Sequence, residues 1–296
     1  MLNRAPRARR TLSLLAFVAP AALFYFVYLA YPTLAGFYYS LTNWNGLFQT
    51  YRMVGFSNYV EAFTQDPRFI HSLLYTLQYV VAIVILQNLI GLALALLVEG
   101  LMKTKSLFRT LFFMPNIMSV YISTLMWTFI FSRVLPQIAH VGFLHFLDQP
   151  WFGSPRVAFF STLIVSTWQG AGYLMIIYIA ALQGLPRELI EAATIDGASS
   201  LRRFRAIVFP LIMPAVTVCV FLTLNNSFKI FDVVYALTRG GPGYSTEVIA
   251  LNIYQEGFAS DLRFGYATAK AVILFIIILV VTLVQVNVFK RREVEA

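Results

Sequence analysis

The chain has 296 residues, of which 59% are hydrophobic and only 12% are charged, whereas about a quarter of the residues of an ordinary soluble domain are charged. The hydrophobic residues form long runs rather than amphipathic alternation, so most of the chain is expected to lie in lipid. The net charge of +9 comes from basic residues at the ends of these runs. This pattern is typical of membrane orientation and argues against nucleic-acid binding.

Six hydrophobic stretches are long enough to cross a bilayer, which takes about 20 apolar residues per helix. We predict helices because lipid offers no partner for unpaired backbone groups, and the stretches lack the alternation of a membrane β-barrel. The fold class is therefore all-α, a polytopic membrane protein with six transmembrane helices. The predicted spans are residues 12–35, 72–98, 108–131, 157–182, 209–229 and 266–289.

The first stretch follows a cluster of arginines, as the apolar segment of a signal peptide would. A cleavable apolar segment is about 7 to 15 residues long, and this run is longer. We therefore expect it to be retained as the first span, with cleavage as the alternative.

The basic residues also predict the orientation. With six spans, 14 of the 22 basic residues fall on the side that holds both termini and 6 on the other, leaving Lys229 and Lys270 in or near the membrane. Since basic residues favour the cytoplasm, both termini are predicted to be cytoplasmic. The expected organisation is a cytoplasmic basic tail at 1–11, a six-helix transmembrane domain at 12–290 and a cytoplasmic tail at 291–296.

The connection at 183–208 is the longest polar segment on the predicted cytoplasmic side. Pro186 is suited to open a first helix, Gly197 to break it, and Ser199 or Ser200 to cap a second one. Such a protruding elbow fits a groove on a cytoplasmic partner. The alternative is a solvated helical hairpin that contacts lipid headgroups.

The stretch 191–214 reads EAATIDGASSLRRFRAIVFPLIMP and closely resembles the EAA loop of ABC importer permeases. The resemblance implies a cytoplasmic coupling loop that sits in a cleft of the ATP-hydrolysing subunit and passes its closure to the spans. Glu191 would make polar contacts in that cleft, Gly197 would form the turn, and the alanines would permit close approach. The residues implied to couple to the ATPase are Glu191, Ala192, Ala193, Asp196, Gly197 and Ala198.

No catalytic machinery is apparent in the sequence. There is no G-x-x-x-x-G-K-[S/T] phosphate loop, so no cofactor is expected in this chain, and ATP and Mg are expected to bind a partner ATPase. The single cysteine, Cys219, and the three scattered histidines do not suggest a metal site. No nucleophile is paired with a base, so the chain is predicted not to be an enzyme.

A second stretch, 228–258, reads FKIFDVVYALTRGGPGYSTEVIALNIYQEGF and is similar to the carbohydrate-uptake permeases of the maltose-permease-F and glycerol-phosphate-permease-A type. The resemblance implies a sugar or sugar-like solute. It also implies a heterodimer with a second, maltose-permease-G-like subunit, two ATP-binding-cassette ATPase subunits and an extracytoplasmic solute-binding protein. The chain lacks the extra N-terminal spans and the large external insertion of the maltose protein, so maltose specificity does not follow.

Polar side chains in predicted spans four and five are candidates for contact with solute, because burying them in lipid is unfavourable. Lys229 and Asp232 are spaced for an i, i+3 pair, although they would equally well end the helix at the interface. Packing is an alternative for span four, and Lys270 is expected to reach the outer surface by snorkelling. The candidate solute-binding residues are Asn225, Asn226, Phe228, Lys229, Asp232, Trp168 and Gln169.

Two functions of different classes fit a polytopic chain. The first is half of an ATP-driven importer, in which a separate ATPase biases the bundle between inward and outward access. The second is a stand-alone secondary transporter, which would need its own coupling-ion carboxylates. Acidic residues are nearly absent from the predicted spans, which favours the importer.

Overall fold

The computed structural model of the protein describes residues 7–100, 104–259 and 262–290. In this part of the chain the structure is helical, and its one β contact is an isolated antiparallel bridge between Thr42 and Met53. The all-α prediction is confirmed. The predicted tail at 291–296 and the first six residues of the predicted N-terminal tail lie outside the described residues.

The helices before the elbow account for predicted spans one to four. They are α1 (Arg7–Tyr25), a π-helical turn (Phe26–Ala30), α2 (Tyr31–Tyr39), α3 (Ser57–Thr64), α4 (Pro67–Gly100), α5 (Lys105–Ile117), α6 (Val120–Phe129), a π-helical turn (Ile130–Val134), α7 (Leu135–Ile138), a 3-10 helix (Gly142–Leu147) and α8 (Pro155–Gln183).

The remaining helices form the elbow and the last two predicted spans. They are α9 (Arg187–Ile195), α10 (Ser200–Arg203), a π-helical turn (Phe204–Val208), α11 (Phe209–Leu211), α12 (Met213–Phe228), α13 (Asp232–Leu237), α14 (Ile249–Tyr254), a π-helical turn (Gln255–Ala259) and α15 (Phe264–Lys290).

Four helical segments among the described residues are long and apolar enough to cross a membrane, and two bent helix pairs raise the total to six if each pair is one span. The four segments match predicted spans one, two, four and six. They are Leu14–Tyr39, Pro67–Gly100, Pro155–Gln183 and Phe264–Lys290.

Predicted span three is not one straight helix, because α5 and the helix beginning at Val120 meet at an angle of 99°. Pro115 lies in the last turn of α5 and has no N–H to donate to the preceding turn. Met118 and Ser119 then have extended backbones, with ψ of 142° and 136°. The proline weakens the helix, and these two residues complete the break.

Predicted span five is also bent, by 70° at Ile212, between the end of α11 and the start of α12. Pro214 lies in the first turn of α12. Backbone N–H groups there have no partner within the helix, so the proline removes no helical hydrogen bond. The elbow therefore extends to Leu211, and α12 begins after it.

The chain divides into two compact units, of which the second comprises Asp66–Asn252 and Leu274–Ala296. Its core lies where α4, α5 and α8 cross, and glycines allow close approach. A Cβ at Gly91 would lie 2.9 Å from Cβ of Leu174, and a Cβ at Gly172 would overlap the carbonyl oxygen of Phe112. Gly91 of span two and Gly172 of span four therefore serve helix packing, as in other membrane bundles.

The first unit comprises Met1–Gln65 and Ile253–Ile273. Lys270 is fully buried, and its Nζ lies 2.9 Å from Oε2 of Glu256. The snorkelling prediction for Lys270 is therefore wrong. A buried charge requires a partner, and a carboxylate within the same unit pairs with the ammonium group. Arg263 also pairs with Glu61, at 2.7 Å, and lies 3.5 Å from Glu256.

Candidate functional site

A cavity of about 430 Å³ opens among the helices of the second unit. Its wall is formed by α4, α8 and α12, by the break between α5 and α6, and by the segment between α12 and α13. Amide and charged side chains on this wall provide both hydrogen-bond donors and acceptors. These side chains are Gln87, Asn116, Gln169, Asn226, Lys229 and Asp232.

The break in span three contributes polar groups to this wall. The side chain of Gln169 donates to the backbone oxygen of Met118 at 3.2 Å, and the side chain of Asn116 donates to the backbone oxygen of Gln169 at 3.4 Å. Gln87 donates to the backbone oxygen of Ser166 at 2.7 Å. Hydrogen bonds between helices therefore hold three amide side chains in place along the cavity.

The end of α12 contributes the two charges. Lys229 follows the last residue of α12, and Asp232 begins α13. The predicted pair between them is not formed, since no ion pair within 4.0 Å joins them in the described structure. The helix ends between the two residues, so they do not have the i, i+3 geometry of a continuous helix, and both side chains are exposed at the cavity.

Four of the seven candidate solute residues, namely Asn226, Lys229, Asp232 and Gln169, line this cavity together. The other three do not. Asn225 donates to the backbone oxygen of Phe221 on its own helix at 3.1 Å, and Phe228 is buried, with only 2% of its surface exposed. Trp168 lines a separate, largely apolar cavity of about 700 Å³, where its ring meets Trp127 edge to face at 5.6 Å.

Several wall residues were not singled out from the sequence. Asn116 follows Pro115 inside an apolar run. A proline next to a polar residue in such a run could have predicted a broken helix that exposes a polar side chain. Tyr79 and Ser166 also line the cavity, and their hydroxyl groups are buried without a hydrogen bond of normal geometry to any described residue. Both oxygens are shielded from solvent behind the wall, and the two side chains interact with each other.

The elbow folds as its sequence predicts. Helix α9 ends in a Schellman motif, in which Gly197 donates to the backbone oxygen of Thr194 at 3.1 Å and Ala198 to that of Ala193 at 3.0 Å. Gly197 has φ of +75°, a conformation that favours glycine. The side chain of Ser199 then caps α10 by accepting from the N–H of Arg202 at 3.4 Å.

The surface of the elbow is open for contact with another molecule. Glu191, Ala192 and Asp196 are exposed, whereas Ala193 and Ala198 are partly buried where the two helices meet. Ile195 is 86% exposed at the tip, which is unusual for a large apolar side chain beside charged groups. Within the described residues, nothing covers this tip.

Comparison with known proteins gives consistent matches. Residues 87–294 match the family model described as the binding-protein-dependent transport system inner membrane component. The chain is 41% identical over 282 residues to a probable starch degradation products transport system permease protein of Thermoanaerobacterium thermosulfurigenes, covering 94% of each chain. It is 33% identical over 268 residues to a multiple sugar-binding transport system permease protein of Streptococcus mutans, covering 90% of this chain and 92% of that protein.

A solved structure of a bacterial ABC transporter involved in the import of the acidic polysaccharide alginate has the same fold. One of its chains matches with a TM-score of 0.82 and 22% identity, over 96% of each chain.

Proposed function

Because this chain belongs to the family of binding-protein-dependent transport system inner membrane components, we propose that it forms half of the pathway by which a sugar or sugar-like solute crosses the membrane. The family consists of ABC transport permeases rather than enzymes, and the ATPase is a separate subunit. The protein is therefore an inner-membrane transport subunit. The identity of the solute is the proposed part.

The cavity on the second unit is the observation that supports a sugar-like solute. Sugar hydroxyls both donate and accept hydrogen bonds, and the four amide side chains of the wall do the same. The rings of Tyr173 and Phe231 provide apolar faces. The names of the two relatives, which refer to starch degradation products and to multiple sugars, agree with this chemistry.

An importer permease of this family works with a second permease, ATPase subunits and a solute-binding protein. We propose the specific assembly that the sequence resemblance implies. In it the chain pairs with a maltose-permease-G-like subunit, and two ATP-binding-cassette subunits bind ATP and Mg. Both termini and the elbow face the cytoplasm, and the binding protein delivers solute from the other side.

In this assembly, the exposed tip of the elbow enters a cleft of an ATPase subunit. Glu191 and Asp196 contribute polar contacts there, and Ile195 contributes an apolar one, since all three are exposed. The Schellman turn at Gly197 fixes the angle between the two elbow helices, so the elbow moves as a unit. Closure of the ATPase then changes the relative populations of inward-open and outward-open states.

The test is uptake by the assembled importer in proteoliposomes, with a panel of maltodextrins, monosaccharides and glycerol phosphate. Asn226→Leu removes an amide from the cavity wall, and Asn225→Leu is a matched control, because Asn225 is adjacent on the same helix but does not line the cavity. Loss of one hydrogen bond predicts a roughly 2- to 10-fold fall in uptake for Asn226→Leu alone. Equal effects of the two variants, or ATP-independent uptake, would contradict the proposal.

A further inference from the structure

Three helix ends meet at the carboxylate of Glu99, which is the second-last residue of α4. It lies 3.0 Å from Nη2 of Arg109 and 3.4 Å from Nζ of Lys105, both on α5. It also accepts a hydrogen bond of 3.2 Å from the side chain of Gln183, the last residue of α8. One side chain therefore connects α4, α5 and α8 at the same end of the unit.

Two charges of this cluster lie at unfavourable helix ends. Glu99 is at the C-terminal end of α4, where the helix dipole disfavours an anion, and Lys105 is the first residue of α5, where the dipole disfavours a cation. Sequences that break a local rule in this way usually do so at a functional position. The attraction between Glu99 and the basic side chains of α5 offsets the dipole penalty only while α4 and α5 stay together.

The cluster contributes little to stability. The side chains of Glu99, Lys105 and Arg109 are 29%, 41% and 33% exposed, and ion pairs this exposed are weakly stabilising. The Nε of Arg109 is buried without a hydrogen bond to any described residue, so the network is not fully satisfied. Stability alone does not explain why the three charged side chains are present.

The position of the cluster in the chain indicates what it connects. Gln183 is followed after three residues by α9, the first helix of the elbow. The three helices that Glu99 joins are also those that place Gln87, Asn116 and Gln169 on the cavity wall. A displacement of the elbow reaches α8 through Gln183 and α12 through Ile212. At this end Glu99 links α8 to α4 and α5 by polar contacts, beside the apolar packing of the same helices.

We propose that Glu99 is a positioning residue that holds the ends of α4, α5 and α8 together, so that a displacement of the elbow moves these three helices at once. This inference rests on the proposed function, because it assumes that a separate ATPase moves the elbow. Without the carboxylate, ATP hydrolysis continues, but less of it results in solute movement.

The experiment measures solute uptake and ATP hydrolysis together in proteoliposomes that contain the whole importer. Glu99→Gln keeps the size of the side chain and removes its charge. The matched control is Glu61→Gln, because Glu61 pairs with Arg263 at 2.7 Å and is 31% exposed, close to the exposure of Glu99. Glu99→Asp keeps the carboxylate and tests for rescue.

For Glu99→Gln we expect normal assembly and normal ATP hydrolysis, with solute uptake per ATP reduced at least about 5-fold, the lower end of a typical coupling effect. Glu61→Gln is expected to leave the uptake per ATP unchanged. Glu99→Asp is expected to keep most of the wild-type uptake per ATP. A wild-type ratio in Glu99→Gln overturns the inference. A wild-type importer that shows no ATP-driven uptake instead overturns the proposed function, and the inference with it.

A second variant keeps the test decisive if Glu99→Gln does not assemble. Gln183→Met removes the hydrogen bond from α8 and leaves both ion pairs of Glu99 in place. We expect it to lower uptake per ATP in the same direction, while ATP hydrolysis is unchanged. An unchanged ratio in Gln183→Met overturns the inference.

Discussion

Replacing Gly172 by alanine tests whether close contact between α5 and α8 holds the bundle together. The added Cβ would overlap the carbonyl oxygen of Phe112 and lie 2.7 Å from its carbonyl carbon. Since ordinary contact begins at 3.4 Å, the carbonyl carbon has to move by about 0.7 Å and the carbonyl oxygen by more. Overpacking of this kind costs about 1–3 kcal/mol, and the better helix propensity of alanine returns about 0.5–1 kcal/mol. Because the obstacle is backbone, we expect a net loss of about 2 kcal/mol.

Gly170→Ala is the matched control, two residues away on the same helix. The three atoms nearest to its Cβ would all belong to the side-chain amide of Gln87. This amide can rotate away at the loss of its hydrogen bond to Ser166, about 1 kcal/mol. The gain in helix propensity is of similar size, so stability should hardly change. Thermal unfolding in detergent should show a fall of roughly 4–8 °C for Gly172→Ala and almost none for Gly170→Ala. Equal melting temperatures for Gly172→Ala and wild type would refute the packing argument.

Two further predictions concern the elbow and the buried ion pair. Gly197→Val forces a branched side chain into a left-handed backbone at φ +75°, so it should lower ATP-coupled uptake while insertion into the membrane is unchanged. Gly197→Asn, which tolerates that backbone, should retain most of the uptake, and equal uptake in both variants would contradict this role of the turn. Lys270→Met removes the buried partner of Glu256 but leaves Arg263 3.5 Å away, so it should destabilise the protein by at most about 3 kcal/mol. The double variant Lys270→Met/Glu256→Gln should recover part of that loss, and a double variant less stable than Lys270→Met would contradict the pairing argument.

The helices and the elbow were predictable because their physical causes are local. Lipid selects for the length and composition of each apolar run, so the four continuous spans could be located from composition alone. The turn at Gly197 follows from a glycine at the end of α9 and a capping serine, Ser199, before α10. In both cases the residues that decide the structure are near neighbours in the chain.

The positions of individual polar side chains were not predictable, because they depend on distant residues. Asn225 and Asn226 are adjacent and chemically identical, and only the rotation of α12 against its neighbours puts Asn226 on the cavity wall. Lys270 was expected at the surface, but Glu256, 14 residues earlier, pairs with it inside the unit. Pro115 indicated a weak point in span three but not the angle of 99° that follows it.

Two of the helix breaks in the second unit explain why one of its cavities is lined by polar groups. Irregular backbone at membrane depth leaves polar groups unpaired, and it is tolerated only within protein or beside a water-filled space. Both the break at Met118 and the end of α12 at Lys229 lie on the wall of this one cavity. The nearby cavity that contains Trp168 is lined by apolar side chains and by the bodies of continuous helices such as α4 and α8. The polar cavity is therefore the one that we propose as the solute path, since it exposes Lys229, Asp232 and the end of α12, whereas the lining of the second cavity contains no charged side chain.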